Sequence, residues 1–257
     1  MRPALSDDAG RDLGQVLTDR LTRTERERRW PNVRPKDAAT LIILDRRARK
    51  PKVLMGRRHA GHKFMPGKFV FPGGRIEAGD RSMPAFGALH PRAEAALIAR
   101  TLRPSAQRGR ALALAAIRET FEETGLLLGT KEHGAPPSAP AGPWAAFRER
   151  GVFPDLESLQ VVARAVTPPR RPKRFDTRFF AVDRSTIAEE VTDVVGPEAE
   201  LVELTWVGLD EARRLDLPAI TQVILEELET RLKAGFGPEL PVPYYYERRG
   251  TFVREEV

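Results

Sequence analysis

The chain has 257 residues, 43 Lys and Arg against 36 Asp and Glu, a formal net charge of +7 and no cysteine. This length is sufficient to bury a hydrophobic core. The absence of cysteine excludes disulfides, iron–sulfur clusters, thiolate zinc sites and cysteine nucleophiles. No apolar run approaches the roughly 18 residues of a membrane span. Residues 1–12 lack the apolar core of a secretory signal, so we expect a cytoplasmic protein without a membrane partner.

The positive charge admits two interpretations. A basic surface can bind nucleic acid, but most of the basic residues here are arginines in an alanine- and proline-rich chain, which is also what a composition bias produces. Arginine in addition binds two phosphate oxygens at once through its planar fork. We therefore expect a solvated basic surface and no nucleic-acid partner, and we note that arginine would also suit recognition of a small phosphate-containing substrate.

The predicted elements alternate irregularly between strands and helices. Residues 1–35 are predicted to form a charged N-terminal arm or a short helix. Strands are predicted at 38–44, 53–56, 69–71, 161–166, 178–182 and 201–207, and a strand or a turn at 126–128. Helices are predicted at 93–102, 109–124, 144–150, 209–215 and 218–234. This pattern predicts one α/β (α+β) domain at 36–237, followed by a C-terminal tail at 238–257.

The helix predicted at 109–124 carries three acidic residues on one face. At about 100° per residue, Glu119, Glu122 and Glu123 share a sector of roughly 100°, and Phe121 lies on the opposite, apolar side. Like charges at these spacings repel, and a bound cation removes that cost. Oxygen ligands suit Mg²⁺ or Mn²⁺. A solvated acidic helix face is the alternative interpretation.

Glycines upstream of this helix favour a binding site. Gly73 and Gly74 follow the short strand at 69–71, and glycine allows backbone to approach a metal or a phosphate closely. Together the two segments resemble the signature of the Nudix family, G-x5-E-x7-R-E-U-x-E-E-x-G-U, where U is aliphatic. Gly74 supplies the first glycine, Asp80 the first acid, and residues 118–126 the R-E-T-F-E-E-T-G-L half.

The resemblance has three departures. Asp80 replaces glutamate, Thr120 replaces an aliphatic residue, and 37 residues separate Asp80 from Arg118 where the signature has seven. The extra 30 residues, at about 81–110, fall at a loop-to-helix junction, where added length costs little closure entropy. An interrupted signature, with segments like those at 64–74 and 174–180, is similar to the acyl-coenzyme A diphosphatases of Nudix motif 19.

The resemblance implies a fold, a reaction and a set of site residues. The fold would be an α/β/α sandwich with a mixed central sheet and a helical insertion. The metal ligands would be Glu119, Glu122, Glu123 and the Gly74 carbonyl, while Glu119, with Glu122 beside it, would act in catalysis. The general base is open, since a later acid is also possible; these acids are Glu198, Glu200 and Glu203. Structural roles fall to Arg118, Asp80 and Gly73.

Four arginines are candidates for binding substrate phosphate, namely Arg57, Arg171, Arg174 and Arg178. A solvated basic loop is the alternative. We interpret His59 and His62 as polar loop residues, and Tyr244–Tyr246 as residues that dock the tail on the domain.

The predicted reaction is metal-dependent hydrolysis of a diphosphate linkage in coenzyme A or acyl-coenzyme A. The products would be an (acyl-)phosphopantetheine and adenosine 3′,5′-bisphosphate. Two alternatives stay open: hydrolysis of a dinucleotide or a nucleotide sugar, and a non-catalytic Nudix domain that binds a nucleotide or RNA. For the insertion at 81–110 the sequence leaves three roles open: a lid, a pocket for the acyl chain, or the contact surface of a homodimer.

Overall fold

The computed structural model describes residues 12–24, 26–61 and 65–257; His62 and Phe64 lie outside these ranges. The strands in these ranges are β1 Lys36–Asp45, β2 Lys52–Arg58, β3 Phe69–Val70, β4 Gly73–Arg75, β5 Leu126–Leu128, β6 Gln160–Val166, β7 Phe175–Asp183, β8 Ile187–Glu190, β9 Leu201–Gly208, β10 Pro243–Arg248 and β11 Thr251–Glu256. The α-helices are α1 Leu13–Arg23, α2 Pro91–Ile98, α3 Ala106–Thr124, α4 Pro143–Glu149, α5 Leu209–Ala212 and α6 Ala219–Lys233.

Most of the described strands form one mixed sheet in the order β11-β10-β6-β7-β1-β2-β3, in which β4 also pairs with β1, and β9 with β2. Strand β1 is central and runs parallel to β7 but antiparallel to β2 and β4. Its apolar run is buried on both faces, with Leu41 and Ile43 in one core cluster and Ile42 and Leu44 in the other. A strand that is apolar on both sides requires helices above and below the sheet.

The helices meet this requirement in two layers. Helix α3, with α2 and α4, packs on one face through residues such as Leu114 and Ile117. Helices α1 and α6 cover the other face through residues such as Leu21 and Val223. The predicted α/β fold with a mixed sheet is thereby confirmed.

The inserted segment at 81–110 is helical and contributes to the core. It contains α2 and the beginning of α3, and Leu97 of α2 is fully buried. Helix α2 begins before the predicted residue 93, because His90 caps it and Pro91 occupies its first turn. It ends at Ile98, whose carbonyl accepts a hydrogen bond from the Thr101 hydroxyl.

The first and last described elements both join the domain: α1 packs on one face of the sheet, and β10 and β11 extend its edge. The segment expected to be a tail forms a hairpin of β10 and β11, in which β10 extends the sheet parallel to β6. The buried Tyr245 donates its hydroxyl proton to Glu227 of α6, and the Phe252 amide donates to the Thr22 hydroxyl of α1 at 2.9 Å. The alternation at 244–246, with Tyr245 inward, is therefore a strand pattern. Across the described part of the chain, no helix combines the length and apolar character needed to cross a bilayer.

Candidate active site

The acidic end of α3 is fixed by its own sequence. Ser105 caps the beginning of the helix, and Gly125 ends it with a left-handed φ of 76°. A Cβ at Gly125 would lie 2.2 Å from the Val191 carbonyl oxygen, so only glycine fits there. The buried hydroxyls of Thr120 and Thr124 donate to carbonyls one turn earlier. Their burial turns the acids of the last two turns towards β4 and the adjoining pocket.

The glycine turn lets the sheet approach these acids closely. Gly74 pairs with Ala39 across β4 and β1. A Cβ at Gly74 would lie 2.2 Å from Glu119 Oε1, and a Cβ at Gly73 would lie 2.5 Å from the Ala39 carbonyl oxygen. Gly73 is therefore required by the neighbouring backbone, whereas a side chain at Gly74 would displace the Glu119 carboxylate.

Arg118 joins the two halves of the interrupted signature. The side chains of Arg118 and Asp80 are almost fully buried. Arg118 Nε donates to Asp80 Oδ1 at 2.8 Å, and Nη2 to Asp80 Oδ2 at 3.1 Å. Asp80 also accepts from the Glu77 amide and the Trp144 indole. A buried, bidentate and fully hydrogen-bonded pair of this kind holds the loop after β4 against α3.

The same guanidinium also holds two acids of the helix. Arg118 Nη1 donates to Glu122 Oε2 at 2.7 Å, and Nη2 lies 3.1 Å from Glu119 Oε1. Glu122 thus pairs with Arg118 and does not line the pocket, whereas Glu119 does. The three predicted acids therefore occupy different environments.

A pocket of about 460 Å³ lies between β4, the end of α3 and the beginning of α6. Four glutamates line it: Glu77, Glu119, Glu123 and Glu200. Glu200 pairs with Arg58 at 2.8 Å. Nothing in the sequence pattern singles out Glu77, which lies between the glycine turn and Asp80. Glu200 was one of three equivalent acids, and only the fold selects it.

Burial changes the acidity of the two helix glutamates in the pocket. It raises the pKa of Glu119 to about 7, with repulsion from Glu122 adding to the effect and Arg118 opposing it. Burial, followed by repulsion from Glu200 and Glu119, raises the pKa of Glu123 well above its usual range. Two carboxylates that are costly to ionise side by side are characteristic of a site that receives a cation.

The donor set fits a divalent cation such as Mg²⁺ or Mn²⁺. Glu123 is 7% exposed, and among the described residues nothing donates a hydrogen bond to its Oε2. Within the same part of the chain, no three His, Asp or Glu side chains are arranged as a closed metal cluster. Mg²⁺ commonly uses one or two carboxylates and completes its shell with water and substrate phosphate. An open site on Glu119 and Glu123 meets that requirement.

The structure distributes the predicted phosphate-binding arginines over four places. Arg57 pairs with Glu203 at 2.8 Å on the surface. Arg178 is fully buried and donates to Asp37 at 2.9 Å and to the Leu97 carbonyl, so packing already occupies its guanidinium.

The other two arginines contact the N-terminal arm. Arg174 donates to Asn32 and to the Val33 carbonyl at 2.7 Å each. Arg171 donates to the Glu27 carbonyl at 3.1 Å and lines a second cavity beside the first. Of the four arginines, Arg171 alone lines either of these two pockets.

The histidine at 59 belongs to a loop. His59 Nδ1 accepts a hydrogen bond from the Gly61 amide at 2.9 Å, while His62 lies outside the described residues. Lys173 lines both pockets. In the sequence it belongs to the basic segment at 170–174, whose composition does not show which of its side chains turns inward.

Comparison with known proteins shows which solved fold the chain is similar to. The structure is similar to that of a Nudix hydrolase from Alicyclobacillus acidocaldarius, with a TM-score of 0.57 and 29% identity over 76% of this chain and 90% of that chain. The fold, in which the acidic helix is placed on a glycine turn, is therefore similar to that of a Nudix hydrolase.

The sequence is also similar to that of the acyl-coenzyme A diphosphatase NUDT19 of Gallus gallus. The two are 32% identical over 178 residues, which is 50% of this chain and 47% of that relative. The matched region therefore spans about half the length of the relative. No protein-family model matches the sequence.

Proposed function

We propose that the protein hydrolyses a diphosphate linkage in coenzyme A or acyl-coenzyme A, in a reaction that depends on Mg²⁺ or Mn²⁺. The observation that carries the proposal is that Glu119 and the buried Glu123 line the same pocket, which Gly73 and Gly74 border. Among the described residues, Glu123 Oε2 has no hydrogen-bond partner. The name of the Gallus gallus relative supports the choice of substrate.

Glu119, Glu123 and the Gly74 carbonyl would hold the metal. When bound, the metal would neutralise diphosphate oxygens and acidify a water molecule. Glu122 would act indirectly here, since it pairs with Arg118 and thereby fixes the guanidinium that also contacts Glu119. Arg118, Asp80 and Gly73 have the structural roles described above.

A carboxylate of the pocket would accept the proton of the attacking water. Glu119 is the first candidate, because it lines the pocket beside Glu123. Glu200 is the second candidate, held at the pocket by Arg58. A comparison of Glu200→Gln with Glu119→Gln separates them, because loss of the base removes the acidic limb of the pH–rate profile, along which the rate falls as the base is protonated.

A substrate panel tests the proposal. Purified protein with Mg²⁺ or Mn²⁺ is given coenzyme A, acyl-coenzyme A, a dinucleotide and a nucleotide sugar, and the products are separated and quantified. Adenosine 3′,5′-bisphosphate with phosphopantetheine is the expected product pair. Preferred cleavage of a dinucleotide or a nucleotide sugar would contradict the choice of substrate.

The first prediction concerns Glu123. Glu123→Gln keeps the shape of the side chain but removes the charge that would hold a cation, so kcat/KM should fall by about 10²-fold or more. Glu149→Gln, at the exposed end of α4, is the matched control and should behave as wild type. Undiminished turnover by Glu123→Gln would refute the metal role, and absence of turnover by the wild type on every substrate would favour a binding domain.

The assembly and location of the protein stay predictions. Light scattering during size-exclusion chromatography measures whether the chain forms the homodimer considered from sequence. Cell fractionation measures whether it is cytoplasmic.

A further inference from the structure

A second cavity of about 300 Å³ adjoins the candidate active site. The two cavities have walls in common, among them Phe179, Ile220 and Lys173. We call the second one the arm pocket, because Leu21 and Arg26 from the N-terminal part of the chain complete it. A molecule that reacts in the first cavity therefore has an immediate neighbouring space for the group attached to its diphosphate.

The arm pocket combines apolar walls with a basic rim. Its walls include Leu21, Ala165, Phe179, Ile220 and Phe252. Its basic residues are Arg26, Lys68, Arg171 and Lys173. Such a cavity suits a ligand with a flat apolar part and an anionic substituent.

Two of the basic residues are fixed by contacts that leave them at the cavity. The Arg26 guanidinium stands over the Phe252 ring, 4.9 Å from its centroid, and donates to the Thr24 carbonyl. Arg171 is tied to the Glu27 carbonyl. Burial lowers the pKa of Arg26, and repulsion from Arg28 and Arg171 adds to this effect while attraction to Glu247 opposes it. An anion bound between Arg26 and Arg171 would reduce the repulsion between these two cations.

We infer that the arm pocket binds the nucleoside end of the substrate, with a purine base against the apolar walls and a ribose phosphate monoester on Arg26 and Arg171. This inference rests on the proposed function. In coenzyme A, the 3′-phosphorylated adenosine is joined directly to the diphosphate, whereas the acyl group is separated from it by the pantetheine arm. An acyl chain would also have no use for a basic rim.

Product binding tests this assignment without turnover. Adenosine 3′,5′-bisphosphate and adenosine 5′-monophosphate are titrated into the full-length protein by calorimetry. We expect the bisphosphate to bind about tenfold more tightly than the monophosphate, because its extra phosphate gains charge-assisted hydrogen bonds from the two arginines. Arg26→Gln and Arg171→Gln should each remove most of that preference. Arg148→Gln, an exposed arginine of α4 outside both cavities, is the matched control and should retain it.

Equal binding of the two nucleotides by the wild type would overturn the inference, as would a preference that survives both variants. Thermal unfolding of each variant confirms that it is folded. The titration needs no catalysis, so its outcome is separate from that of the substrate panel. If the wild type prefers the bisphosphate, the two variants lose that preference, and the wild type hydrolyses no coenzyme A ester, the pocket assignment stands and the proposed function is refuted.

A blocking variant distinguishes the nucleoside from the acyl chain. Ala219, at the beginning of α6, lines the arm pocket but not the first cavity, so Ala219→Phe narrows the arm pocket alone. We expect the ratio of kcat/KM for octanoyl-coenzyme A to that for coenzyme A to stay within about twofold of the wild-type ratio. A selective loss of the acylated substrate would assign the cavity to the acyl chain and overturn the inference.

Discussion

At the scale of single residues, the glycine turn and the helix acids depend on each other. The Glu119 carboxylate occupies the space that a side chain at Gly74 would need, since Glu119 Oε1 would lie 2.2 Å from an added Cβ. The atom that must give way is the end of a flexible side chain, so accommodation is inexpensive for the fold. It is costly for a site that requires Glu119 in one position.

The second prediction separates these two effects. Gly74→Ala should reduce kcat/KM by about 10²-fold while the unfolding free energy changes by about 1 kcal/mol or less. Gly196→Ala is the matched control, because a Cβ there meets nothing within 4 Å. The measurements are steady-state kinetics and urea unfolding. Wild-type kinetics in Gly74→Ala would show that Glu119 needs no fixed position.

At the scale of elements, the ion pair of Arg118 and Asp80 connects α3 to the loop that follows β4. Both side chains are almost fully buried, so the loss of one leaves the other charged without compensation. The Trp144 indole, on α4, donates to the same carboxylate at 3.1 Å. One buried carboxylate thus holds three segments together.

The third prediction is a double-mutant cycle on this pair. Arg118→Met should destabilise the fold by about 3–5 kcal/mol, because Asp80 stays buried without its counter-ion. Adding Asp80→Asn should recover part of the loss. Urea unfolding of the four proteins measures the coupling. Strictly additive losses would show that the two charges do not stabilise each other.

The elements also show what the sequence can and cannot predict. Periodicity located α3 and the long buried strand β1, since Leu114, Ile117 and the apolar run at 38–44 carry strong patterns. It missed β8, β10 and β11, whose short segments are rich in charged residues. The sequence also predicted the acidic helix face, because Glu119, Glu122 and Glu123 are spaced three and four residues apart. The partners Arg58 and Glu200, and the burial of Arg178, depend on strand register and could not be read from the chain.

At the scale of the whole molecule, some arginines have structural roles inside the fold, and four of those described are buried: Arg118, Arg164, Arg178 and Arg231. Asp37, at the beginning of β1, accepts from Arg108 of α3 at 2.7 Å and from Arg178 of β7 at 2.9 Å. Burial would raise the pKa of Asp37, but the hydrogen bonds and charges of the two arginines outweigh it and hold the pKa below its usual range. A carboxylate of this kind stabilises the fold above the pKa of the unfolded chain and loses its contribution as the pH falls through its folded pKa.

The fourth prediction follows from that sign. Asp37→Asn should be less stable than wild type at pH 7, and the difference in Tm should shrink below about pH 4, where the wild type begins to lose the same charge. Thermal unfolding between pH 7 and pH 2.5 measures it. Asp210→Asn, at an exposed carboxylate of α5, is the control for general acid effects. A Tm difference that is constant with pH would contradict the assignment.

The joining of Asp80 to Arg118 has a kinetic consequence for the order of events during folding. The contact closes a loop of about 38 residues, so the two halves of the site meet only through a non-local contact whose entropic cost comes before its gain. A local segment such as the isolated helix 106–124 therefore contains the acids without the geometry. During refolding, a competent site arises with the tertiary core and not with secondary structure, which makes recovery of function a late reporter of the native state.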